Sequence, residues 1–166
     1  MAAGATYEPI ATYTVSGTTT TTITFSSISG SYTDLVLVCS GNCNSGTDYP
    51  RLRVGNGSAS ATGYSDTTMQ GNGTTATSGR ETSQTGFVFA TYPATSARIT
   101  TIFNFMNYSN TTTYKTVLMR DNNSAGNVTT GVMLWQSTSA INYIELFITN
   151  KFVAGSTFTL YGIASA

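Results

Sequence analysis

Histidine is absent from these 166 residues, and only 8% of positions carry charge. Without an imidazole the chain lacks the commonest general base and metal ligand, which excludes Ser-His-Asp and Cys-His catalysis. Two Lys and three Glu cannot dress the exposed faces of many helices. The five arginines are scattered at 51, 53, 80, 98 and 120, and the formal net charge is zero. Nucleic-acid binding relies on clustered cations, so no nucleic-acid partner is expected. No apolar run approaches the ~18 residues of a membrane-spanning helix, and no membrane partner is expected. The opening "MAAGATYEPIATYTV" has neither the basic segment nor the apolar segment of a secretory signal, so folding in a cytoplasm is expected. The N-x-S/T matches at Asn56, Asn72, Asn107, Asn110, Asn122 and Asn127 then read as products of composition.

What the chain does have is 33 Thr, 10 Tyr and 8 Phe. Disordered chains are poor in aromatics and rich in net charge, so this one folds. At 17.5 kDa it fits one domain, able to bury roughly 70% of its unfolded surface. Thr, Tyr, Phe, Val and Ile suit a pleated, half-buried surface, which makes the chain all-β with Thr and Ser tiling its solvent face.

The low-complexity run "GTTTTTITF" (17–25) tests that reading. A mucin-like stalk would interleave proline with its threonines, and the chain has only three Pro, at 9, 50 and 93. The tail of the run alternates instead, with Ile23 and Phe25 on one side and Thr22 and Thr24 on the other. That period of two marks a strand with one wet face. Other strand-like stretches are 11–15, 33–40, 51–55, 86–92, 97–108, 113–120, 128–136, 141–149 and 156–164, bounded by Gly, Asn, Ser or Asp clusters. Residues 35–38 are apolar on both faces, which places that strand centrally. Residues 51–55 put Leu52 and Val54 inward and Arg51 and Arg53 outward. Residues 56–85 read as long loops with one short strand near Tyr64 to Met69. About ten strands without a helical period predict a single-domain, antiparallel β-sandwich. The long connections favour Greek-key or jelly-roll wiring. Residues 1–10 lack a strand pattern and read as an N-terminal arm before a domain spanning 11–166.

The candidate chemistry is thin. Cys39 and Cys43 in "CSGNC" cannot alone fill a tetrahedral zinc site. Either they form a local disulfide, or Cys39 is a small buried hydrophobe and Cys43 a loop thiol. A glycosidase needs a carboxylate pair. The supply is Glu8, Asp34, Asp48, Asp66, Glu81, Asp121 and Glu145, most of them in turn-like stretches. Glu145 stands mid-strand, and an outward side chain or a contact between subunits explains it. "RDNNSAGN" (120–127) is oxygen-rich but lacks EF-hand spacing and its closing Glu, so it reads as a turn between strands. Tyr49, Tyr64 and Tyr92 are placed to stack on sugars, although most tyrosines of a β protein serve packing. No catalytic, metal or cofactor residue is assigned, and the chain is not expected to be an enzyme.

The stretches "FMNYSNTTTYKTVLMRDNNSAG", "VMLWQSTSAINYIELF" and "FVAGSTFTLYGIASA", with "YEPIATYTV" and "TDLVLVCSG" before them, resemble a family of virion surface proteins of tailed bacteriophages. The resemblance runs over nearly the whole chain and is weakest at 40–85. It implies a jelly-roll-like domain made in the host cytoplasm and carried on the virion, as a capsid decoration (cement) protein or in a tail appendage. The implied partner of a decoration protein is the major capsid protein of the shell. A homotrimer suits the three-fold positions that shells offer. The alternative is a tail-fibre module that binds a receptor or glycan.

Overall fold

A computed structural model of the chain describes residues 6–17, 20–44, 48–89, 97–124 and 126–164. Across them run twelve strands and no helix: β1 (Tyr7–Thr14), β2 (Thr22–Phe25), β3 (Asp34–Gly41), β4 (Arg51–Gly55), β5 (Tyr64–Gly71), β6 (Ala76–Gln84), β7 (Phe87–Val88), β8 (Ile99–Met106), β9 (Lys115–Asn123), β10 (Asn127–Trp135), β11 (Tyr143–Phe147) and β12 (Thr157–Ile163). The larger sheet has the order β1-β12-β3-β8-β9-β10-β5-β6 and the smaller one β2-β11-β4-β7. Without β5, β6, β9 and β10, eight strands remain in two layers of four, β1-β12-β3-β8 and β2-β11-β4-β7, and the chain changes layer at every step except from β4 to β7. That is the interleaved double Greek key of a jelly roll. The chain is therefore the all-β, antiparallel, jelly-roll-like sandwich that its composition indicates.

Two hairpins are added to this frame. The β5–β6 hairpin leaves the chain between β4 and β7, and β9–β10 leaves it between β8 and β11. Both extend the larger sheet beyond β8, where β10 pairs with β5 from Trp135↔Tyr64 to Val128↔Gly71. The larger sheet thus outruns the four strands that face it.

Burial follows the alternation of side chains. β2 buries Ile23 and Phe25 and exposes Thr22 and Thr24, and β4 buries Leu52 and Val54. β3 lies between β12 and β8, as its two apolar faces require. In the core Phe89 packs at a tilt against Phe103 (centroids 5.0 Å) and Phe152 edge-on against Phe158 (5.0 Å). Lys115 lies on an inward position, where its Nζ donates to the carbonyls of Thr113 (2.7 Å) and Thr138 (3.1 Å). Burial lowers its pKa.

Three expectations are corrected. Residues 7–10 are not part of an arm: they belong to β1, which pairs with β12 from Tyr7↔Ile163, while residues 1–5 lie outside the described ones. Residues 56–85 are not mostly loop, because β5 and β6 form a long hairpin there. Of the stretch 86–92, only Phe87–Val88 is strand, and residues 90–92 lie outside the described ones. Of the two alternatives for the cysteines, the disulfide is not the one found: Cys39 and Cys43 are both free, buried thiols, and Cys43 bridges to Phe152 within the core.

Tyr64 ties the added hairpin to the opposite layer. Its hydroxyl accepts from Val54 N–H (3.0 Å) and faces the carbonyls of Val54 and Ser60 (3.0 Å each). It occupies the place of a missing strand neighbour at the end of β4. Its ring packs edge-on against Phe87 at 4.8 Å.

Candidate binding groove and sheet face

The inner face of β5 and β6 continues past the smaller sheet, and its side chains are not those of a core. Asp66, Thr68 and Gln70 of β5 share that face with Thr77, Gly79 and Glu81 of β6 and Thr129 of β10. Tyr49, Val88 and Phe89 close the side nearer the sandwich, and the space between is about 450 Å³.

Two polar groups in this groove lack partners. Asp66 is 7% exposed and Thr129 5%, yet Asp66 Oδ2 and Thr129 Oγ1 make no hydrogen bond. A buried polar atom without a partner costs about 1–3 kcal/mol, so native folds rarely keep one without use. Asp66 also faces Glu81 directly across the β5–β6 pair, where like charges are unfavourable. The Gln84 amide donates to Glu81 Oε2 at 3.2 Å. Burial first, and the charge on Glu81 second, push the Asp66 carboxyl up from 3.8 to about 6.

A pH dependence of stability follows. The folded state binds more protons than the unfolded chain between the unfolded value of 3.8 and the folded value of about 6. Stability therefore falls as pH rises through that window and stays reduced above it. A shift of that size corresponds to about 1–3 kcal/mol. The melting temperature should be higher at about pH 5 than at about pH 7.5, and Asp66→Asn should flatten that difference. An unchanged slope in the variant would assign the effect elsewhere.

The other carboxylates of the sequence analysis are dispersed. Glu145 points away from the groove on the smaller sheet, 3.6 Å from Arg53, whose guanidinium lies 4.1 Å over Phe147. Asp121 is not a loop ligand: it sits on β9 facing inward and accepts from Thr101 Oγ1 at 2.8 Å. Asp34 accepts from Asn107 N–H at 2.6 Å and Asp48 from Thr149 N–H at 2.8 Å. No group of three metal-ligating side chains occurs among the described residues. Of the tyrosines considered for stacking, Tyr49 reaches the groove, Tyr64 is buried, and Tyr92 lies outside the described residues. Sequence reasoning missed Thr129 and Gln70, because nothing in a Thr-rich strand distinguishes one threonine from another.

The opposite, outer face of the larger sheet is the second feature. Register places Val132 beside Leu118, Leu118 beside Asn104, and Asn104 beside Val36. The next row runs Met69, Thr130, Arg120, Ile102, Val38. Six of the eight most exposed large hydrophobics among the described residues lie here: Tyr7, Met69 (63%), Met106, Leu118, Val128 (61%) and Val132 (53%). Arg120 is the charge at its centre, with its guanidinium 3.3 Å from Asn104 Oδ1. Such a contiguous apolar field marks an interaction surface.

Comparison with known proteins gave no family model, no curated protein and no solved structure that matches this chain.

Proposed function

We propose that the chain is a structural protein of a bacteriophage virion, a decoration (cement) protein that binds the outer capsid surface and stabilises the shell. The observation that carries this reading is the outer face of the eight-stranded sheet, where Val38, Ile102, Leu118, Val128 and Val132 lie around one charged group, Arg120. Aliphatic contact around a single guanidinium fits a protein surface that offers apolar side chains and one carboxylate. The resemblance of the strand cores to phage surface proteins supports the same reading. Both edge strands of that sheet, β1 and β6, are exposed along nearly their whole length, and closed association as a homotrimer would cover such edges.

Rebinding to shells stripped of their outer proteins tests the proposal. The purified protein should restore a copy number comparable with that of the shell subunit, and Leu118→Arg or Val132→Arg should reduce rebinding at least ~10-fold, the scale of one lost hot-spot contact. Rebinding of both variants at the original level would overturn the sheet face as the docking surface. Light scattering that finds a monomer at high concentration would remove the trimer. The second reading, a receptor- or glycan-binding module of a tail, has the groove at Asp66 in its favour. A copy number far below that of the shell subunit would select it.

A further inference from the structure

We infer that the groove between the β5–β6 hairpin and the sandwich is a binding site for an oligosaccharide, with the Asp66 carboxylate and the Thr129 hydroxyl as its two anchoring contacts. This deepens the second reading above, but it is drawn from the groove alone and stands wherever on a particle the chain sits.

The spacing of the two partnerless groups comes first. Asp66 lies opposite Met133 of β10, and Thr129 is four residues from Met133 along that strand. At about 3.4 Å per residue the two contacts are about 14 Å apart along the groove. A single small ion cannot satisfy both, whereas an extended ligand can. The groups between them set the chemistry. Thr68, Gln70, Thr77 and Gln84 line the groove with hydroxyls and amides, which donate and accept alike. Tyr49, Val88 and Phe89 give one wall an apolar and aromatic surface. A sugar presents that combination, with hydroxyls around the ring edge and C–H groups on its faces. An ionised carboxylate is acceptor-only, so Asp66 suits a ligand rich in O–H donors.

Charge narrows the class. Asp66 and Glu81 are on the same face and directly opposed, and the Arg53–Glu145 ion pair is on the other sheet. The groove is therefore negative and disfavours acidic saccharides. A cationic peptide would answer the charge at Asp66 but not the run of neutral hydroxyls and amides leading to Thr129. The construction of the fold agrees. The groove exists because the added hairpins extend one sheet and not the other, so its residues are free of the duty of filling a core.

The experiment begins with the full chain on a printed array of bacterial and plant oligosaccharides, and the strongest neutral hit is titrated into ¹⁵N-labelled protein. The inference expects neutral saccharides among the hits, with shifts centred on the amides of Thr68, Gln70, Thr77, Glu81 and Thr129. Asp66→Asn, which keeps the side-chain shape, should lower affinity at least ~10-fold, and Thr129→Val should lower it by a smaller factor. Leu118→Arg, on the opposite face, should leave it unchanged, which separates this site from the shell-docking surface. Absence of neutral hits overturns the inference, as do shifts confined to another face or full affinity in Asp66→Asn. So does a tetra-arginine peptide that shifts the same amides while the saccharides do not. Release of shorter saccharides during the titration would still support binding in the groove, and would make the Asp66–Glu81 pair the first place to look for hydrolysis.

Discussion

Replacing Gly55 by alanine should cost this protein most or all of its fold. A Cβ built at Gly55 would lie 1.8 Å from the Ser58 carbonyl oxygen and 3.1 Å from Ser60 N. Both obstacles are backbone, so no rotamer change relieves the clash. Moving the Ser58–Ser60 segment would break the bond from Ser60 N–H to Val54 O (2.9 Å) and pull the Ser60 carbonyl from the Tyr64 hydroxyl (3.0 Å). Gly55 is also held from the other side, where its carbonyl accepts Asn142 N–H at 3.0 Å. The combined cost is about 3–5 kcal/mol, a large part of the 5–15 kcal/mol that holds typical domains together. Thermal melting of Gly55→Ala should fall by roughly 6–20 °C, or the protein should be recovered only as aggregate. A loss of no more than a degree or two would show that the loop can yield.

Tyr64→Phe should be the second most damaging of the substitutions considered. It removes one oxygen and no volume, so packing against Phe87 stays. What is lost is the partner of Val54 N–H, a buried backbone donor at the unpaired end of β4. An orphaned buried N–H together with the lost donation to a carbonyl costs about 2–3 kcal/mol, roughly 4–12 °C in melting temperature. The same hydroxyl predicts an alkaline effect. Burial pushes the Tyr64 pKa up from 10.0 to about 12, so above pH 10 the unfolded chain sheds a proton that the folded one keeps. Stability then falls between about pH 10 and 12. Tyr64→Phe should weaken that fall, and equal alkaline slopes in both proteins would contradict the argument.

The sequence showed faces better than partners. In "TITF" and "RLRVG" alternation told which side chains go inward, because both strands bury one face and wet the other. The doubly apolar "LVLV" told that β3 is central. The edges were harder to read for a physical reason: of β1 only residues 11–14 lay in an expected strand, and β6 in none. β1 and β6 are exposed on both faces, so neither has a buried stripe to impose a period, and β6, "ATSGRETSQ", looks like a loop. Asp66 lay on the expected strand near Tyr64 to Met69, but its role was not legible, for a related reason. It occupies an inward strand position, but the inward face at that point opens onto a groove rather than a core, so the usual ban on a carboxylate is lifted. Periodicity carries no information on where one sheet outruns the other, and that mismatch creates the candidate site. The choice of strand partners across layers, such as Tyr64 on Val54, depends on contacts that local patterns do not encode.

The side-by-side lodging of the two added hairpins has a consequence for the order in which the chain comes together. The β5–β6 hairpin reaches the larger sheet only through β10, and β10 reaches it only through β9 and β8. Residues 64–84 are synthesised first, yet their docking surface, residues 127–135, emerges some 45 residues later. Until then the early hairpin is left with its Tyr64 hydroxyl and the end of β4 as its hold on the frame. Closing that long loop is entropically slow, so β6 should be the last strand to lock and the first to open. The groove should therefore lie on a part of the sheet with short-lived amide protection, while the central strands of the jelly roll behind it should exchange far more slowly.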